Sequence, residues 1–197
     1  MSGFRASSGG VTARFAKPEA IVIRDLVTQV IELVAGDDAG LAADPGPRPA
    51  ATGGGRPDIP DMAELEAMVG LAAGADLPDD PVLARLLPDA YREDPEAARE
   101  FRRFTESGLR SAKVAAARTL LATLPPGGGK VRLSAEQAEQ WLRTLNDVRL
   151  ALGVRLGVTD DFDALSDSVP PGDPRYAYVQ IYQWLAYVQG SLVAALS

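Results

Sequence analysis

The sequence offers few residue types that can carry out chemistry, because its 197 residues include neither histidine nor cysteine. The absence of histidine removes the commonest general base and the commonest metal ligand. The absence of cysteine removes disulfides, thiol nucleophiles and thiolate metal sites. A nucleophile and its base would have to come from carboxylates, hydroxyls, tyrosines or lysines. We therefore predict a protein that is not an enzyme and has no catalytic residues, cofactor or metal.

Two short segments have the composition of ligand-binding loops but not the spacing. Residues 127–130 are three glycines followed by a lysine, whereas a phosphate-binding loop also needs an earlier glycine and a hydroxyl residue after the lysine. Leu124 and Val131 occupy those two positions, so we interpret the segment as a turn that ends a helix. Residues 160–163 (DDFD) lack the central glycine and closing glutamate of a calcium loop. We interpret them as a solvated acidic loop.

A basic ridge is predicted along a helix at 95–124. At 100° per residue, apolar and small side chains form one stripe of this helix. The stripe consists of Ala97, Phe101, Phe104, Gly108, Ala112 and Ala115. The opposite side carries the cations Arg99, Arg102, Arg103, Arg110 and Lys113, and we expect it to face solvent.

Two interpretations of this ridge stay open. A basic surface on an acidic protein can receive a nucleic acid or an acidic segment of a partner. Glu106, however, lies four residues from both Arg102 and Arg110, which is the spacing of ion pairs along a helix. The ridge is therefore either a binding surface or a solvent face laced with salt bridges.

The helix predicted from Ser134 contains an arginine among apolar residues. Arg149 falls within the apolar stripe, Asn146 borders it, and Asp147 points away from it. The stripe consists of Ala138, Trp141, Leu142, Leu145, Val148, Leu152 and Leu156. Because an unpaired buried charge is very costly, Arg149 must pair or reach water, and we expect an acidic side chain or helix-end carbonyls to hold it. It is either a hydrogen-bonded anchor or a clamp for an anion or carboxylate.

Charge and hydropathy limit the partners. The net charge of −7 and the pI near 4.7 are opposite to those of most proteins that neutralise phosphates, so we expect a protein partner and no nucleic acid. Residues 176–196 carry no formal charge, but Gln180, Gln183 and Gln189 interrupt them, which favours a buried helix over a membrane span. Residues 1–16 lack the apolar core of a signal peptide, so we predict a cytoplasmic protein.

These residues must be positioned by helices and two short strands. Strands are predicted at 11–15 and 130–133, and they can pair as a ribbon because a lone strand would leave its backbone groups unpaired. Capping residues and prolines place helices at 18–35, 61–71, 81–87, 95–124, 134–157 and from 173–174 nearly to the C-terminus. Residues 36–60, rich in Gly, Pro, Ala and Asp, form a flexible acidic insertion. The prediction is one mainly α domain, 1–197: a helical bundle around the C-terminal helix with a minor two-stranded β ribbon.

Four segments resemble a known family. They are residues 141–153 (WLRTLNDVRLALG), 86–92 (LLPDAYR), 100–103 (EFRR) and 182–185 (YQWL). Together they are similar to the actinobacterial "domain of unknown function 2017" family over nearly the whole chain. The resemblance implies a bacterial cytosolic protein that is often encoded close to the ClpS protease adaptor and a metal-dependent isopeptidase-type protein. Some relatives carry a transcriptional-regulator label, and no activity is assigned to particular positions.

The function that we predict is that of a non-enzymatic interaction or regulatory protein, with an accessory role in Clp-type proteolysis as the specific form. The alternative is a DNA-binding transcriptional regulator that uses the Arg-rich face of helix 95–124. A homodimer is compatible with either function.

Overall fold

The computed structural model describes residues 2–36, 80–88, 95–158 and 166–197, with the side chains of helix 95–123 described from residue 104. The strands are β1 (Arg5–Ser7), β2 (Gly10–Phe15) and β3 (Gly129–Leu133). The helices used below are α1 (Lys17–Ala35), α2 (Pro81–Leu86), α3 (Pro95–Thr123), α4 (Ala135–Leu156) and α5 (Tyr176–Leu196). The insertion predicted at 36–60 lies, from residue 37, outside the described residues, as do the helix predicted at 61–71 and the acidic loop at 160–163.

The mainly α fold with a small sheet is confirmed, and the two predicted strands pair antiparallel as β2 and β3. The sheet has a third strand, because β1 pairs antiparallel with β2 in the order β1-β2-β3. The prediction of a two-stranded ribbon therefore missed one strand, β1. β1 has only three residues, which is too few to show an alternating pattern. Its signal is the two-residue turn Ser8-Gly9, where Gly9 adopts a φ of 88° that suits a tight hairpin.

α4 is the central helix of the bundle. It packs against α1, α2, α3 and α5 and also contacts β2 and β3. Its Trp141 is fully buried, and its indole Nε1–H donates to the hydroxyl of Thr123 at 2.7 Å. The rings of Phe4 and Phe15 pack on this indole with centroids 5.5 and 5.8 Å away, so the sheet and α4 share one aromatic core.

The prediction that the C-terminal helix forms the centre was wrong. α5 packs on α4 and on β1 and β2, and it buries one side only, with Leu185 and Val188 fully covered. On its other side Tyr187 and Val193 remain 47% and 46% exposed. The lack of charge made this helix look central, but the amides and tyrosine hydroxyls suit a half-exposed surface equally well. No described helix combines the length and the apolar character needed to cross a bilayer.

α1 and α3 are joined by reciprocal arginines. Arg24 of α1 donates to the carbonyls of Leu121 and Leu124 at the end of α3, at 2.6 and 2.8 Å. Arg110 of α3 donates to the carbonyl of Val34 at the end of α1, at 2.5 Å. The last carbonyls of a helix have no partner within the helix and carry partial negative charge, so a cation from the antiparallel neighbour stabilises each end.

Among the described residues, four of the predicted helix starts are confirmed and one was wrong. α1 begins at Lys17 with Pro18 in its first turn, and α3 begins at Pro95. The Asp80 carboxylate accepts from the N–H of Val82 at the start of α2, and Ser134 with Gln137 forms the predicted capping box of α4. Asp173 does not cap α5. It accepts from the backbone N–H of Arg175, the residue that precedes the helix, at 2.8 Å.

Candidate functional site

α3 is rotated relative to the prediction, so that Arg110 and Lys113 face the protein. The side chains of Arg110 and Lys113 are only 19% and 18% exposed, and the prediction of a solvent-facing ridge was wrong for both. The side chains of Arg99, Arg102 and Arg103 lie outside the described residues. Of the five candidate cations on this helix, the two that the structure describes are therefore turned inward.

The opposite side of α3, predicted as an apolar stripe, faces water. Phe104 is 79% exposed, and Gly108, Ala112 and Ala115 are also exposed. We call these four residues the outer face of α3. The side chains of Ala97 and Phe101, which the prediction placed on the same stripe, are outside the described residues.

The second half of α3 fixes this rotation. Ala117, Leu120 and Leu124 are buried against α1 and α4, and they follow Arg110 and Lys113 at steps of three and four residues. Residues at these steps share one face of a helix. Leu120 and Leu124 determine the orientation of the helix and Phe104 does not, because the leucines lie where α3 crosses its neighbours. The spacing of three and four residues that reveals this orientation can be read from the sequence.

Lys113 pairs with a residue that the sequence prediction had placed away from the core. Its ammonium group lies 2.7 Å from a carboxylate oxygen of Asp147 on α4. Asp147 is 6% exposed, and this burial raises the pKa of its carboxyl group; the hydrogen bond and positive charge of Lys113 offset only part of that rise. The signal that locates Asp147 is its spacing of three and four residues from the buried Thr144 and Ala151.

Arg149 holds α5 against α4. Its Nη1–H donates to Oε1 of Gln189 at 2.5 Å, and its guanidinium carbon lies 5.1 Å from the ring centroid of Tyr182, within cation–π distance. Its Nε is buried and has no hydrogen-bond partner. The expectation of an acidic or helix-end carbonyl partner was wrong for the part of the chain that the structure describes: an amide and an aromatic ring take that place.

The predicted candidates whose side chains the structure describes do not converge on one pocket. Arg149 faces α5, whereas Lys113 and Asp147 lie between α3 and α4, and Arg110 reaches the end of α1. Asn146, predicted to flank Arg149, is exposed. These contacts are those of residues that join helices to one another. Whether Arg149 also clamps a ligand stays a prediction.

Comparison with known proteins identifies a family that spans nearly the whole chain and relatives that span about two thirds of it. Residues 1–196 match the family described as "Domain of unknown function (DUF2017)". A Mycobacterium tuberculosis protein named "Oxidative stress regulator AosR" is 37% identical over 147 residues, which is 68% of this chain and 66% of that protein. A Mycobacterium leprae protein whose name includes the same words is 41% identical over 149 residues, 68% of this chain and 67% of that protein. No solved structure matches.

Proposed function

This chain belongs to the DUF2017 family, and we propose that it is a non-enzymatic regulatory protein that acts through contacts with other proteins. The outer face of α3 is the observation that carries this proposal. A phenylalanine that is 79% exposed stands there beside a glycine and two alanines. Large aromatic side chains are enriched at the centres of protein interfaces, and small neighbours let a partner approach closely.

The relatives support the regulatory part of the proposal. The mycobacterial proteins that the chain matches are named oxidative stress regulators, and the match covers about two thirds of their length. This chain contains no cysteine, so it has no thiol that an oxidant could convert to a disulfide or a sulfenic acid. We propose that it passes on a stress signal through a partner and does not sense the oxidant with a thiol of its own.

Two narrower functions follow from the family resemblance. An accessory role in Clp-type proteolysis would make the partner a protease adaptor or its substrate, and it predicts changed protein half-lives in a deletion strain. A DNA-binding regulator would need the cations of α3. Arg110 and Lys113 already bind a carbonyl and two carboxylates, which leaves Arg99, Arg102 and Arg103 as the cations for DNA. We rank this alternative second.

The proposal is tested in the native host with a charge placed on the outer face of α3. The gene is deleted, and transcripts are compared with and without peroxide after complementation by the wild type, Phe104→Asp or Val193→Asp. Val193 is the matched control, because it is an exposed apolar residue on α5. We expect the wild type and the control to restore the transcript pattern and Phe104→Asp to fail.

Cross-linking from the same two positions separates a protein contact from an indirect effect. A photoreactive residue at position 104 should capture a protein, either a partner or a second copy of this chain, and one at position 193 should not. Full complementation by Phe104→Asp would contradict the proposal. Transcripts that do not change in the deletion strain would contradict the regulatory role itself.

A further inference from the structure

The solvent face of the sheet carries four cations at adjacent positions. In the register of the sheet, Arg5 stands opposite Thr12, Thr12 opposite Arg132, and Arg14 opposite Lys130. Residues that stand opposite each other in antiparallel strands point to the same side, and neighbouring strands lie about 4.8 Å apart. Arg5, Arg14, Lys130 and Arg132 are all exposed. We call these four residues the basic sheet face.

The four cations are not used by the fold. Among the described residues none of them forms an ion pair or a side-chain hydrogen bond. Arg14 even stands directly opposite Lys130, and like charges in directly opposed positions destabilise a sheet. The sequence has 27 acidic residues against 20 basic ones, so carboxylates that could pair with this face are abundant elsewhere. The basic sheet face is therefore a positively charged surface patch without ion pairs on a protein of negative net charge.

One end of the face opens into a groove of about 870 Å³. Arg5, Arg14 and Lys130 line it, together with the glycine turn 127–129 and Tyr187 of α5. A Cβ atom at Gly127 or Gly129 would meet no neighbour within 4 Å, whereas one at Gly128 would meet the backbone at the end of β2 at 2.7 Å, so the turn packs on β2 and its two outer glycines stay uncovered. The groove gives a ligand room beside the cations.

We propose that the basic sheet face binds an extended acidic segment of a protein partner. Lys130 and Arg132 are two residues apart on one strand, which places them about 6.8 Å apart on the same face. An extended peptide with a carboxylate at every second residue repeats at the same distance. Its carboxylates can therefore meet successive cations, and the exchange of unpaired charges for ion pairs favours the complex.

A nucleic acid fits this surface less well. The outward-facing side chains of the strands include no aromatic residue, and among the described residues that line the groove Tyr187 is the one exposed aromatic side chain, so successive bases would have a single ring to stack on. A polyanion longer than the face would extend over a protein with a net charge of −7 and be repelled. A short acidic segment avoids both difficulties because it ends where the positive charge ends.

The test measures binding of a short fluorescein-labelled peptide of alternating Glu and Thr by fluorescence anisotropy. The same peptide with Gln in place of Glu is the uncharged probe, and labelled DNA of equal charge is the competing polyanion. The protein is used as the wild type, as Arg14→Glu with Lys130→Glu, and as Arg118→Glu with Arg143→Glu. The last variant reverses two exposed arginines on α3 and α4, so it changes the net charge equally without touching the sheet.

We expect the acidic peptide to bind the wild type and the helix variant, with an affinity that falls as salt is added. The sheet variant should lose about tenfold or more in affinity, the effect of losing two exposed ion pairs. Equal losses in both variants, no binding of the acidic peptide, or tighter binding of the DNA would each overturn the proposal. This purified system does not involve the host, so its failure leaves the regulatory proposal and the outer face of α3 unaffected.

Discussion

The inward-turned side of α3, with Arg110 and Lys113, and the basic sheet face both carry cations, but the fold uses only those of the helix. Arg110 and Lys113 each pair with a carboxylate, and Arg24 of α1 donates to carbonyls at the end of α3. On the sheet, Arg14 and Lys130 face each other without an anion between them. Steps of three and four residues bring a helical cation next to a glutamate on its own helix, whereas the strand register here aligns cation with cation. A cation is available to a ligand when the fold has given it no other contact.

Lys113→Met should cause the largest loss of stability. It leaves the Asp147 carboxylate buried without its cation, which for a partly buried pair costs about 2–3 kcal/mol at neutral pH. Asp147→Asn in the same protein should restore most of that loss, because the buried charge is then gone. Urea denaturation measures both. The exposed pair of Arg143 and Glu139, at 3.8 Å, is the control, and Glu139→Gln should cost less than about 0.5 kcal/mol.

The loss caused by Lys113→Met should also depend on pH. Burial raises the pKa of Asp147 above the ordinary value of 3.8, so the native state binds this proton more readily than the unfolded state does. The contribution of Asp147 to stability is therefore complete below 3.8 and is lost as the pH rises through its higher native value. Lys113 lowers that pKa, so its removal raises the pKa of Asp147 further. The pH range over which the protonated carboxyl contributes to stability then widens. Denaturation across a pH series should show the variant approach the wild type in acid, and a constant difference would show that Asp147 does not titrate there.

Arg24→Met should have a smaller effect. It removes two hydrogen bonds to the last carbonyls of α3, and we expect a loss of about 1–2 kcal/mol. Arg118→Met on the exposed side of α3 is the matched control and should stay within about 0.5 kcal/mol of the wild type. Equal melting temperatures for the two variants would show that water replaces Arg24 at the helix end.

Arg14→Glu should have the smallest effect and the opposite sign. It replaces a repulsive pair with Lys130 by an attractive one, which should stabilise the sheet by roughly 0.2–1 kcal/mol. The same change should weaken binding of the acidic peptide. Differential scanning calorimetry detects the first effect and anisotropy the second. A protein that becomes less stable would mean that Arg14 has a role in the fold after all.

Local signals predicted most of the fold, and the faces of the helices were harder to predict. Proline and capping residues located α1, α2 and α4, because these signals act within one turn of the chain. The orientation of α3 depends on which neighbours it crosses, so a stripe in its first half was misleading. Asp147 was missed for a related reason: its partner Lys113 lies on another helix, 34 residues away.

The candidate surfaces show the same limit. Arg14, Lys130 and Arg132 belong to strands that were predicted, and the pairing of those strands was predicted too. Their common face follows from the register of the pairing, which two short strands alone do not determine. Arg5 lies on the strand that was missed. A basic surface made from three separate strands therefore appears only when the strands are aligned.

The contact of Phe4, the residue before β1, with α5 has a consequence for synthesis in the cell. The backbone N–H of Phe4 donates to the hydroxyl of Ser191 at 2.9 Å, across 187 residues of sequence, and the Phe4 ring packs on Trp141. A ribosome adding about 5–20 residues per second needs roughly 10–40 s to span that distance. Phe4 and Phe15 are therefore made well before Trp141, on which both rings pack, and before α5. The yield of this protein should therefore depend on chaperones that cover these two rings during synthesis as well as on the stability of the finished fold.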